Sequence, residues 1–65
     1  MYNMAWIPFH VIRHKNNGIK EQILRNELRT LEQRKLIKKR WNAARYEFEY
    51  AKMFGNVIKT RNITI

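Results

Sequence analysis

Arg34, Lys38, Lys39 and Arg40 place four cations within seven residues. On a helix none of them would have an acidic residue three or four positions away. Elsewhere that spacing is served: Glu21 reaches Arg25, Glu32 reaches Lys35, and Glu49 reaches Arg45 and Lys52. Unpaired cations this close repel unless an external anion lies among them, so the window offers neutralisation of a polyanion. A merely solvated face is the bland account of such a run. The aromatic side chains beside it, Trp41, Tyr46, Phe48, Tyr50 and Phe54, favour binding. Cations hold phosphates while open rings stack on splayed bases, the two halves of a grip on RNA. The expected nucleic-acid contacts are therefore Arg34, Lys35, Lys38, Lys39, Arg40, Arg45, Tyr46 and Tyr50. They would grip the backbone without reading base sequence. Trp41 and Phe48 keep helical spacing with Ala44 and Ala51, so they are assigned, with Trp6, Phe9 and Phe54, to packing against protein partners.

Catalysis is not expected. Ser, Cys and Asp are absent, and no Gly-rich phosphate loop is present. Neither a cofactor nor a small-molecule substrate is implied. His10 and His14 have the i,i+4 spacing that could hold a metal on a helix. Pro8 and the loop at Asn16 argue against a helix there, and a metal site wants three or four ligands, so no metal is expected. Asn62, Ile63 and Thr64 match a glycosylation sequon, which has no meaning without secretion. No recognition-helix motif, zipper or zinc finger is discernible, and the Leu spacing fails after Leu31.

The chain of 65 residues carries 14 Lys+Arg against 5 Glu, a formal charge of +9. Clustered basic charge of this size is the footprint of a nucleic-acid binder, and also fits an anionic membrane surface or an acidic protein. A single domain of this length buries only about 60% of its unfolded surface and is marginal without a staple. With no Cys to supply one, stabilisation is expected from neighbouring protein subunits. The longest apolar run, residues 4–9, is far short of the roughly 20 residues a membrane span requires. No secretory signal is discernible, so an intracellular place is expected, in the cytoplasm or the mitochondrial matrix.

The stretch 19–54 contains no Gly or Pro and is rich in Leu, Arg, Lys, Glu, Gln and Ala, which favour helix. Lys15, Asn16, Asn17 and Gly18 read as a loop, with Asn17 as the helix N-cap. Gly55 and Asn56 read as the stop. The apolar stripe wanders: Leu24, Leu28 and Leu31 share one face, while Ile37, Trp41, Ala44, Phe48 and Ala51 fall nearly opposite. A break near 31–37 would fold the chain into a helical hairpin, but no Gly, Pro or Asn is there to turn with. The fold class expected is therefore all-α. One domain, 1–65, comprises an extended arm (1–17), a single long basic helix (18–54) and a short strand-like tail (55–65), without an autonomous globular core.

The function expected is a small basic structural subunit of a large ribonucleoprotein, such as a ribosomal or mitochondrial ribosomal protein, binding RNA backbone through the helix. Two alternatives stand beside it. One is an accessory subunit of a membrane-bound complex, of the respiratory or ATP synthase kind, facing anionic lipid. The other is a small phage or bacterial regulator that clamps an acidic protein.

Overall fold

The computed structural model describes residues 5–53 and 57–65. It replaces the long helix with β1 (Ile7–Pro8), α1 (Phe9–Lys15), α2 (Glu21–Gln33), β2 (Ile37–Asn42) and β3 (Glu47–Lys52). The three strands form one antiparallel sheet in the order β1-β3-β2. The all-α class is thereby overturned in favour of a small compact α/β domain with its own core. The longest extent of the molecule is 35 Å, whereas a straight helix over 19–54 would need roughly 54 Å. Phe54 and the expected stop at Gly55 and Asn56 lie outside the described residues, as do 1–4 of the arm.

The helix stops because Lys35 turns left-handed, at φ 60°. The Leu36 N–H then donates to the Leu31 carbonyl and the Lys35 N–H to the Glu32 carbonyl, both at 3.0 Å. These are the paired bonds of a Schellman cap, and Leu36 folds back on the core that holds Leu31. Such caps favour Gly, which has no Cβ to object. Here a Lys adopts the conformation, so the turn chemistry is present without its usual residue.

From Leu36 the chain enters β2 and returns through a four-residue loop. The Asn42 side-chain oxygen accepts from the backbone N–H groups of Ala44 (3.0 Å) and Arg45 (3.2 Å), starting the turn. Tyr46 closes it in a second left-handed conformation, φ 56°. Cross-strand partners share a face, so Ile37, Lys39, Trp41, Phe48 and Tyr50 form one side of the hairpin. That side faces α2: Lys39 reaches Glu32 of α2 at 3.7 Å, and Tyr50 and Ile37 enter the core with Leu24, Leu28 and Leu31. Lys38, Arg40, Asn42, Glu47 and Glu49 form the outer side.

The expected arm is a strand and a helix. Pro8 starts α1 instead of preventing it, since its fixed φ suits a helix N-terminus. No local side chain caps α1. Glu47 does so from across the fold, accepting from the His10 backbone N–H at 3.4 Å and meeting the ring Nδ1 at 2.8 Å. Asn17 does not cap α2, whose N-cap is Lys20. Its neighbour Asn16 is buried instead and ties down the tail, with Gly18 (φ 98°) supplying the turn. The tail doubles back, Ile58 and Ile65 exchanging backbone bonds of 3.0 and 2.7 Å, and Ile63 and Ile65 enter the core. Arm and tail, which a straight helix over 19–54 would hold roughly 54 Å apart, therefore meet at Asn16 and Thr64.

Candidate nucleic-acid interface

The basic window is split among three settings. Arg34 and Lys35 are exposed at the C-terminal cap of α2. Lys38 is exposed on the outer side of β2. Lys39 lies on the inner side, paired with Glu32 and 4.7 Å above the Phe48 ring. Arg40 is committed internally: its Nε donates to Glu49 at 2.8 Å and its guanidinium lies 4.2 Å over Trp6. It is a structural cation. Arg45 is exposed in the hairpin loop.

The rings divide in the same way. Tyr50 is 6% exposed and packs against Phe9, with centroids 6.5 Å apart, so it cannot present a face to a base. Burial pushes its hydroxyl pKa up. Phe9, expected to meet a partner protein, fills the chain's own core. Trp6 is half-buried beneath Arg40, and Phe48 is partly buried against the core. Trp41 and Tyr46 remain exposed, at 47% and 83%.

Sequence reasoning overlooked the outward face of α2. Gln22, Asn26, Arg29 and Gln33 recur at i, i+4, i+7 and i+11, and all are exposed, as is Thr30 beside them. The Gln22 amide donates to the Asn26 side chain at 3.1 Å. No carboxylate stands in that row; Glu21, Glu27 and Glu32 lie off it. The signal was a polar stripe of helical period, legible once α2 is recognised as a separate amphipathic helix. Between α2 and the inner side of the hairpin runs a cleft of about 200 Å³ lined by Arg25, Arg29, Glu32, Lys39 and Phe48. A neighbouring cleft of about 260 Å³ takes in Arg25, Trp41, Tyr46, Glu47 and Phe48.

His10 and His14 do lie one turn apart on α1, and His10 is engaged by Glu47. Among the described residues no group of three or more His, Cys, Asp or Glu could hold a metal ion.

Glu49 is the most perturbed acid. The Asn42 amide donating at 3.1 Å and the Arg40 guanidinium at 2.8 Å hold its carboxyl below the usual value near 4.5. A depressed folded-state pKa contributes stability that is complete above the unfolded value and is lost as pH falls through the folded one. Thermal melts from about pH 5 down to about pH 3 should therefore show wild type losing stability, and Glu49→Gln losing less over the same window. Parallel acid limbs for the two proteins would show that Glu49 carries none of the effect.

Comparison of the chain with models of protein families, with curated proteins and with solved structures found no match.

Proposed function

We propose that this chain is a non-enzymatic nucleic-acid-binding module that lays α2 in the major groove of a DNA duplex and sets the β2–β3 hairpin along the adjoining backbone. The observation that carries it is the acid-free row Gln22, Asn26, Arg29 and Gln33 on the exposed face of α2. Amide and guanidinium side chains are the types that pair with base edges, Asn and Gln with adenine and Arg with guanine. Cations flank that row, with Lys20 at one end of α2 and Arg34 and Lys35 at the other. B-form DNA admits a helix in its major groove, whereas the major groove of A-form RNA is too narrow and deep.

The polyanion inferred from composition is kept, and the element that would meet it changes. A place in a ribonucleoprotein is the second reading, favoured by the exposure of Trp41 and Tyr46 beside cations, which suits unstacked RNA bases.

Binding to duplex DNA, duplex RNA, single-stranded RNA and anionic vesicles across a salt series tests both. Duplex DNA should bind tightest, with log affinity falling by roughly 0.9 per phosphate contact per log unit of salt. Lys20→Ala, at the exposed N-terminal end of the row, should weaken all duplexes alike and flatten the slope by about one contact. Arg29→Ala should instead cost about 1–3 kcal/mol on a preferred sequence and little on others. Tightest binding to vesicles, or none to nucleic acid at physiological salt, would overturn the proposal. Preference for single-stranded RNA would select the second reading.

A further inference from the structure

The hairpin tip holds a bulky ring where the fold would be better served by Gly. Tyr46 closes the loop at φ 56° and is 83% exposed. The left-handed conformation is disfavoured for residues with a Cβ, and most for large ones. Exposure returns little of the ring's apolar burial. Strain retained at an exposed position points to a role outside the folded chain.

The ring is nevertheless held in place. Tyr46 meets Trp41 at 5.2 Å and 74°, and Trp41 meets Phe48 at 4.9 Å and 72°. The three rings step outward from the core, each fixed by the one beneath. A T-shaped contact sets one ring's edge on another's face, which leaves further ring faces open. Arg45 precedes Tyr46 in the exposed loop, and the cleft beside Trp41 and Tyr46 is lined by Arg25, which is paired with Glu21, and by Glu47, which is engaged by His10. The other exposed large apolar side chains among the described residues, Ile23 and Val57, lie on α2 and in the tail. A patch of two rings beside Arg45 and Arg25, with Glu47 engaged by His10, is too small for a stable protein interface and matches the size of a nucleotide.

We infer that Trp41 and Tyr46 form a stacking platform for an unpaired nucleobase beside the bound duplex, so that DNA with a single-stranded extension is preferred over a blunt end. The inference rests on the nucleic-acid reading and deepens it. Arg45 would hold the extension's phosphate while the rings take the base.

The test compares a blunt DNA duplex, the same duplex with a three-nucleotide extension, and that extension carrying abasic sites. Wild type should gain about 5- to 150-fold in affinity from the extension, the usual range for one stacked base. The abasic extension should give no gain. Tyr46→Gly should keep blunt-duplex affinity and thermal stability, since it relieves the left-handed strain, while losing the gain. Tyr46→Phe should retain it. Blunt binding without any gain in wild type overturns the inference and leaves the duplex reading standing. An equal gain from abasic DNA also overturns it, and needs no variant. Self-association that Tyr46→Gly abolishes would give the rings to a second copy and overturn it. No binding to any DNA would remove both readings together.

Discussion

Leu28→Ala is expected to remove a large part of the isolated chain's stability. Leu28 is 1% exposed, at the centre of the α2 stripe with Leu24 and Leu31. Truncating a buried Leu costs about 2–5 kcal/mol, from lost transfer energy and the cavity left behind. At roughly 0.05–0.15 kcal/mol per residue, a domain of this size holds only about 3–10 kcal/mol in total. At mid-range values the loss takes about half of the stability, and it loosens the α2 face that the binding proposal uses. Urea denaturation followed by circular dichroism measures this. Ile23→Ala, at a position 41% exposed on the same helix, should stay within about 0.5 kcal/mol of wild type. If Leu28→Ala also stays within about 1 kcal/mol, α2 does not pack as described.

The second large effect is expected at Asn16. Its side-chain amide donates to the Ile12 carbonyl at 2.8 Å and the Thr64 carbonyl at 3.0 Å, and its oxygen accepts from the Thr64 N–H at 2.8 Å. The amide thus takes the place of a backbone partner for the returning tail. Each bond contributes about 1 kcal/mol net, and a buried group left unpaired costs more. Asn16→Ala should therefore destabilise by about 3 kcal/mol, a fall in Tm of roughly 12–24 °C for a domain of this size. The loss should also be local, because Ile63 and Ile65 reach the core only while Thr64 is held. Hydrogen exchange at the Ile58 and Ile65 amides, which pair with each other, should speed up before exchange in α2. A Tm within about 3 °C of wild type would show that the tail is seated by its isoleucines alone.

Several features were legible in the residues themselves. The charge of +9, the absence of Ser, Asp and Cys, and the loop at Gly18 all follow from composition and local chemistry. So does the Leu24, Leu28 and Leu31 face, because the 3.6-residue period acts within one element. That the stripe then shifts to the opposite side was also visible. Its cause is a change of period, since Glu47, Phe48, Glu49 and Tyr50 alternate acid and ring at the spacing of two that a strand requires. Helix propensity summed over 19–54 concealed that alternation.

The tertiary structure decided the rest, and it did so at two strained residues. Lys35 and Tyr46 take left-handed conformations that their side chains disfavour. The first ends α2 and the second closes the hairpin. Neither residue type favours that conformation. The Schellman bonds at Leu36 bring Leu31 and Ile37 into one core with Tyr50, and burying those side chains outweighs the backbone strain. The same folding distributes the basic window, giving Arg40 to Glu49 and Trp6 and Lys39 to Glu32, and leaving Lys38 exposed. A linear count of cations cannot separate those roles, because each pairing depends on which strand or helix lies alongside.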